Sequence, residues 1–420
     1  MTTMTTMTHE TTEPAAQVGD GDVRVLLLES IHPDGAANLR DQGYQVETVA
    51  GALDEATLIE RVKGVHLLGI RSGTNVTEAV LEAADSLLAV GAFCIGTNQI
   101  DLEAAAARGV AVFNAPFSNT RSVVELAIAE IISLARRLHE KSTDMHAGVW
   151  NKSAKGSHEI RGRRLGIVGY GNIGSQLSVI AEALGMSVYF YDTADKLALG
   201  NAKKCETLHE LLETVDVVTL HVDGRPGNAG LFGAEEFARM KPRSMFLNLS
   251  RGILVDMAAL RENIEAGHIS GAAIDVFPVE PKKQGDPFES EVRGLENVIL
   301  TPHVGGSTME AQQDIGQFVS GKLISYLKTG STELSPNLPD LGVPPHDGAH
   351  RIVHIHRNMP GVLATINSLL GDHKVNIEAQ SLGTSGDIGY VITDVGSQVD
   401  AEVLAELAGL SETIRLRLLS

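Results

Sequence analysis

Cysteine is almost missing from this chain of 420 residues, which holds Cys94 and Cys205 and no other. The two lie far apart and form neither a metal nor a redox spacing, so thiolate metal modules drop out. No metal is expected, and the chain reads as a cytoplasmic protein with reduced thiols. Cations are also in short supply: 34 Lys and Arg stand against 53 Asp and Glu, a net charge of −19. That balance argues against nucleic acid and against an anionic membrane surface as partners. Any anionic substrate must then be drawn in by basic residues placed locally. No apolar run approaches the roughly 20 residues of a membrane span. Residues 1–22 are rich in Thr, have little apolar content and lack the apolar core of a signal peptide, so a disordered tail is expected there.

What the chain has in quantity is alternation. Strand-like runs at 23–28, 44–49, 66–70, 87–93 and 110–113 are interleaved with helix-like segments such as 35–42, 53–62 and 102–108, which predicts a parallel sheet covered on both faces. A long helix with a mixed face follows at 122–140. Past it, the run Arg164-Leu-Gly-Ile-Val breaks into Gly169, Gly171 and Gly174 at G-x-G-x-x-G spacing and opens a helix at 175–184 that Gly185 closes. The first glycine permits a tight turn, the second lets backbone approach a pyrophosphate, and the third lets helix pack on strand. The N–H groups at the helix start then favour an anion. The next strand, 186–192, closes on Asp192, about 20 residues past the glycines, where a carboxylate hydrogen-bonds a ribose diol and repels a 2′-phosphate. NAD is therefore the expected cofactor.

The rhythm resumes with apolar runs at 216–222, 244–249, 271–276 and 297–301, of which the last three stop at Ser250-Arg251-Gly252, Phe277-Pro-Val-Glu280 and Pro302-His303-Val-Gly-Gly306. Residues just beyond the strand C-termini of a parallel sheet line the ligand crevice, so three strands deliver Arg251, Glu280 and His303 to one rim. An arginine fork holds a carboxylate and polarises the adjacent carbonyl. A histidine takes or returns the hydroxyl proton as hydride moves on the same carbon. A glutamate on the imidazole fixes its tautomer and favours its protonated form. Together these are the parts of a 2-hydroxy acid dehydrogenase site.

Five stretches then carry a resemblance: Asn-Ala-Pro-Phe-Ser-Asn-Thr-Arg-Ser at 114–122, Gly-Tyr-Gly-Asn-Ile-Gly at 169–174, Ser-Arg-Gly at 250–252, Asp-Val-Phe-Pro-Val-Glu-Pro at 275–281 and Thr-Pro-His-Val-Gly-Gly-Ser-Thr at 301–308. Together they resemble the D-isomer-specific 2-hydroxy acid dehydrogenase family, in its phosphoglycerate dehydrogenase branch, from about residue 23 onward. The resemblance implies a Rossmann-type NAD-binding domain (119–305) inserted in a flavodoxin-like substrate domain (23–118 and 306–335). It implies Arg251, Glu280 and His303 as catalytic residues. Cofactor contacts are implied from Gly169, Gly171, Asn172, Ile173, Gly174, Asp192, Leu249, Ser250, Arg251, Asp275, His303, Val304, Gly305 and Gly306. Arg71, Ser72, Asn119 and Lys152 join Arg251 as implied substrate contacts. Gly73 stands where relatives often carry a second arginine. Family precedent has Trp150 reach a neighbouring subunit; a surface tryptophan beside a solvated Lys152 is the alternative.

Residues 336–348, rich in proline, are expected to be a linker that cannot continue a helix. The remainder, 349–420, reads strand (350–356), helix (361–370), strand (375–382), strand (388–395), helix (401–407), strand (413–419), the βαββαβ order of a ferredoxin-like module. His-Ile-His-Arg-Asn-Met-Pro-Gly-Val-Leu at 354–363 resembles the opening of an ACT domain. The strand 350–356 is expected at the edge of its sheet, paired with its copy in another chain. The resemblance implies His356, Asn358 and, from the paired chain, Asn376 as ligands of L-serine, with Arg357 where relatives often have Glu; a module that only dimerises is the alternative. For the whole chain it implies NAD-dependent oxidation of 3-phospho-D-glycerate to 3-phosphohydroxypyruvate, feedback inhibition by L-serine, and a homo-oligomer, a tetramer by precedent. The competing readings are another D-2-hydroxy acid or 2-oxoglutarate reductase, and a non-catalytic NAD(H)-sensing protein of the corepressor kind.

Overall fold

The computed structural model describes residues 19–281, 285–345, 350–396 and 399–419; the expected tail, as far as residue 18, lies outside the described residues, as do 346–348 of the expected linker. The chain forms two compact units, 1–118 with 312–420, and 119–311. The α/β class with two parallel sheets and a C-terminal antiparallel sheet is the expected one. Among the described residues no helix is long and apolar enough to cross a membrane.

In the first unit, strands β1 (Arg24–Leu27), β2 (Gln45–Thr48), β3 (Leu67–Ile70), β4 (Ala89–Ala92) and β5 (Ala111–Asn114) form a parallel sheet in the order β2-β1-β3-β4-β5. β3 and β4 are buried at every position, as strands covered on both faces must be. The crossover helices begin where an acid or hydroxyl caps a free N–H: Asp54 accepts from Thr57, Thr77 from Val80 and Asp101 from Ala104.

The second unit holds a seven-stranded parallel sheet, β6 (Arg164–Val168), β7 (Ser187–Tyr191), β8 (Lys203–Lys204), β9 (Val217–Leu220), β10 (Ser244–Asn248), β11 (Ile269–Ile274) and β12 (Val298–Leu300), in the order β12-β11-β10-β9-β6-β7-β8. The long helix expected at 122–140 is two helices, Thr120–Arg136 and Leu138–His146, because Arg137 between them is left-handed at φ 52°. The first of the pair packs Val123, Val124, Ala127, Ile131 and Leu134 against the sheet, while the second buries nothing.

The C-terminal module belongs to the first unit. Strands β13 (His350–Arg357), β14 (Ile377–Ser385), β15 (Ile388–Val395) and β16 (Thr413–Leu419) form an antiparallel sheet in the order β14-β15-β13-β16. This corrects the expectation of an edge strand at 350–356. β13 is hydrogen-bonded on both sides, to β15 and β16, because its crossover to β14 leaves room for β15 between them, so it has no free backbone for a second chain. Helices Val362–Asp372 and Ala401–Ala408 cover one face. Through the other, Val353, Ile355, Tyr390 and Ile392 join the core built on Phe113, Leu323 and Tyr326.

The described part of the expected linker is anchored to the first sheet. Asn337 donates to the Val110 carbonyl and accepts from the Val112 N–H, both at 2.9 Å, and Ser335 donates to the Val112 carbonyl at 2.9 Å; proline-rich composition hid side chains that continue the open edge of β5. The last carbonyls of helix Met309–Thr329 are capped from the antiparallel sheet: Arg417 donates to Leu327 at 3.1 Å, Arg351 to Thr329 at 2.9 Å, and Tyr390 to Gly330 at 2.5 Å. Arg351 is itself locked by Asp394 at 2.6 and 2.9 Å.

Candidate active site

β6 ends in the glycine turn. Gly169 has φ 93°, and a Cβ there would collide with the His221 carbonyl, as one at Gly174 would with the carbonyl of Gly169. Gly171, in contrast, faces open space with nothing within 4 Å. Helix Asn172–Ala183 starts three residues earlier than expected and has no side-chain cap, so its first N–H groups, from Asn172, Ile173 and Gly174, are available to an anion. Asp192, one residue past β7, accepts from the N–H of Tyr170 at 2.7 Å and of Ala194 at 2.8 Å. The acid is thereby pinned to the glycine turn with lone pairs left for a diol. An open approach at Gly171, an uncapped helix start and an anchored carboxylate fit a dinucleotide.

Arg251, Glu280 and His303 follow β10, β11 and β12, three adjacent strands. His303 Nδ1 lies 2.9 Å from Glu280 Oε2, and Glu280 Oε1 accepts from the Phe277 N–H at 3.1 Å. His303 is held at φ 53° by its N–H donating to the carbonyls of Asp275 (2.8 Å) and Thr301 (3.0 Å). Asp275, buried at the end of β11, accepts the Thr301 hydroxyl at 2.6 Å and the N–H groups of Val304 and Gly305 at 2.8 Å each. One carboxylate thus fixes the loop that carries the histidine. Asn248 shapes the arginine turn in the same way, accepting from Ser250 N at 3.1 Å and donating to the Arg251 carbonyl at 3.0 Å; Arg251 Nη1 donates to the Ser250 carbonyl at 2.6 Å.

Electrostatics match the geometry. The Glu280 hydrogen bond raises the His303 pKa against burial, with the Glu280 and Asp275 charges adding to it. Burial pushes the Glu280 carboxyl up, but hydrogen bonds from His303 and Phe277 N, with the Arg251 charge, bring it below its ordinary value. Both shifts favour the imidazolium–carboxylate form of the pair, the form suited to donating a proton to a carbonyl oxygen.

Leu249 and Ser250 are buried in the turn after β10, whereas Val304 is at the surface. Asn119 precedes helix Thr120–Arg136 and abuts Gly306, whose absent Cβ leaves room for the amide. Arg71 and Ser72 follow β3 in the other unit. There the Glu29 carboxylate occupies the N–H groups of Arg71 (3.1 Å), Gly73 (2.7 Å) and Thr74 (2.9 Å). Lys152 is exposed and Trp150 is 79% exposed. In the antiparallel sheet His356 is buried, its Nδ1 2.8 Å from the Arg357 carbonyl, and Asn358 donates to the Gly386 carbonyl at 3.0 Å. Asn376 precedes β14 at the Val395 end of β15, whereas Asn358 follows β13 at the Ile388 end. Within one chain these asparagines sit at opposite ends of the sheet.

Sequence reasoning missed Asn248, Glu29 and Glu130. Glu130 is 3% exposed on the sheet-facing side of helix Thr120–Arg136, with both oxygens unpartnered, and burial followed by the Asp275 charge pushes it up to about 8. A carboxylate in register with Ala127 and Leu134 on an apolar stripe was the available signal.

Residues 128–305 match the model of the D-isomer specific 2-hydroxyacid dehydrogenase NAD binding domain, and residues 352–415 match the AHAS small subunit-like ACT domain. The chain is 50% identical over 400 residues to D-3-phosphoglycerate dehydrogenase of Escherichia coli (strain K12), covering 94% of this chain and 97% of that one. It is 47% identical to the enzyme of the same name from Dictyostelium discoideum, covering 97% and 100%. Among solved structures, a Thermus thermophilus protein superposes with TM-score 0.66 at 30% identity over 73% of this chain and 97% of its own. The pyruvate reductase of Chlamydomonas reinhardtii does so with TM-score 0.65 at 26% identity over 74% and 98%. The second unit therefore contains an NAD-binding domain.

Proposed function

The chain belongs to the D-3-phosphoglycerate dehydrogenases of the D-isomer-specific 2-hydroxyacid dehydrogenase family, and from that membership we propose that it oxidises 3-phospho-D-glycerate to 3-phosphohydroxypyruvate with NAD. The observation that carries the reading is the His303–Glu280 pair at 2.9 Å, on a strand end adjacent to the one that bears Arg251. The Arg251 fork takes the substrate carboxylate in two parallel hydrogen bonds, which a lysine cannot reproduce. Glu280 holds the proton of His303 on Nδ1, so Nε2 faces the C2 hydroxyl and accepts its proton as the C2–H bond breaks; in reverse it returns that proton to the carbonyl oxygen. Bound NAD, held by the glycine turn and Asp192, would supply the hydride acceptor. Arg71 and Ser72, with Asn119 and Lys152, are the proposed contacts for the rest of the substrate.

An NAD-sensing role without chemistry would require neither the histidine–glutamate pair nor its raised pKa. For the ACT module the proposed effector is L-serine, bound by His356 and Asn358 of one chain and Asn376 of another; the positions of the two asparagines at opposite ends of β15 support a site that uses two chains. The protein is accordingly proposed to be a cytoplasmic homo-oligomer, a tetramer by family precedent. The test is NADH oxidation with 3-phosphohydroxypyruvate, hydroxypyruvate, glyoxylate and 2-oxoglutarate side by side, with serine titrated against the best of them. The phosphorylated keto acid should give the highest kcat/KM, and serine should inhibit. A preference for 2-oxoglutarate or hydroxypyruvate would move the chain to the competing reductase reading.

A further inference from the structure

The NAD-binding sheet has a second cavity at the end opposite the glycine turn. It lies where β6, β9 and β10 begin, between Arg163, Asp216 and Ser244, about 16 Å of strand away from the crevice where they finish. Its volume is about 240 Å³, room for a small metabolite. Five basic side chains, Arg137, His158, Arg163, Lys241 and Arg243, line it against a single carboxylate, Asp216. Asp216 is committed to Lys241 Nζ at 2.5 Å and the Arg164 N–H at 2.9 Å. Arg137 is held by Glu140, with Glu296 at 4.0 Å. Among the described residues, Arg163, Arg243 and His158 meet no carboxylate at ion-pair distance. Burial and the charges of Arg163 and Arg243 lower the His158 pKa, which is the mark of cations gathered without an anion between them. In a chain of net charge −19 that concentration needs a cause.

Backbone conformation points the same way. Among the described residues eight non-glycine residues have positive φ, and three of them, Arg137 (52°), Arg243 (67°) and Asn297 (52°), line this one cavity. An arginine in the left-handed region is strained relative to glycine, and such strain persists where function requires the side chain. Both arginine side chains line the cavity. The third sign is Ser244: it is 2% exposed, it lines the cavity, and its hydroxyl has no hydrogen-bond partner.

We propose that this cavity is a binding site for a phosphate dianion, free or carried on a small phosphomonoester, separate from the catalytic crevice. The Arg163 and Arg243 forks would each present paired N–H donors to phosphate oxygens. Ser244 supplies a buried hydroxyl donor, and His158, relieved of its unbalanced neighbours, gains a proton when the anion enters.

The test uses the full chain and two probes, inorganic phosphate and glycerol 3-phosphate, read by calorimetric titration and by the shift in Tm. Wild type should bind one of them saturably, and the tighter probe tells free phosphate from an ester. Arg243→Gly removes a cation together with the backbone strain, so without phosphate it should melt higher than wild type while binding the probe at least tenfold more weakly. Arg163→Gln removes a cation with no strain to relieve, and should lose the phosphate response at unchanged Tm. Arg71→Ala, which alters the phosphate end proposed for the substrate, should keep the response in full. The proposal is overturned if wild type binds neither probe by 10 mM, if Arg243→Gly and Arg163→Gln respond as wild type does, or if Arg71→Ala alone abolishes the response.

Discussion

Replacing Glu130 by glutamine removes a buried titration while keeping the size and shape of the side chain. Glu130 has two unpartnered carboxyl oxygens and a pKa pushed from 4.5 to about 8, by burial first and by Asp275 second. The folded state therefore keeps a proton that the unfolded chain gives up near pH 4.3. A raised folded value means that the stabilising effect is complete below the unfolded pKa and is lost as pH rises through the folded one, so wild-type stability declines from about pH 4.5 to about pH 8. The interval between those values, at about 1.4 kcal/mol per pH unit, sets an upper bound of about 5 kcal/mol. Glu130→Gln stays neutral throughout. Its advantage over wild type in urea unfolding, followed by circular dichroism, should grow from near zero at pH 4.5 to several kcal/mol at pH 8 and then level off. An advantage of the same size at every pH would refute the reasoning, because it would mean that Glu130 has the same pKa in the folded and unfolded chains.

Two further predictions concern the site. Glu280→Gln removes the main cause of the raised His303 pKa, so the fall in kcat/KM for keto-acid reduction at alkaline pH should begin at lower pH than in wild type; coincident pH profiles would contradict the pairing. Asp192→Ala removes the carboxylate expected at the ribose and also frees the Tyr170 N–H, so the preference for NADH over NADPH should narrow while the KM for NADH rises. Kinetics with both cofactors would reveal an unchanged ratio, and with it an Asp192 that does not face the ribose.

The glycine turn was legible because its chemistry is local: close approach at Gly169 and Gly174 leaves no side chain an option. The placement of Arg251, Glu280 and His303 at adjacent strand ends was legible for a related reason, since apolar runs that stop at polar residues mark strand ends whatever their neighbours. The break at Arg137 was not, because nothing in the residue type reports a left-handed arginine, and continuous helix was the natural reading of 122–140. The anchoring of the linker was hidden for a different reason. Proline content describes the freedom of an isolated chain, whereas Asn337 and Ser335 are fixed by the unpaired edge of β5, a partner more than 200 residues away in sequence that composition cannot express. The interior position of β13 was available in principle: the βαββαβ order with its crossover places the first strand between two others. Glu29, seated on the N–H groups of the Arg71 turn, lies 42 to 45 residues from its partners and carries no local signature.

The most direct test of the account is the His303→Ala variant, studied for NADH binding by fluorescence titration and for turnover with NADH and 3-phosphohydroxypyruvate. If His303 moves the proton while the glycine turn and Asp192 hold the cofactor, turnover should fall by roughly 10²–10⁴-fold with the Kd for NADH nearly unchanged. Turnover within a few-fold of wild type would contradict it.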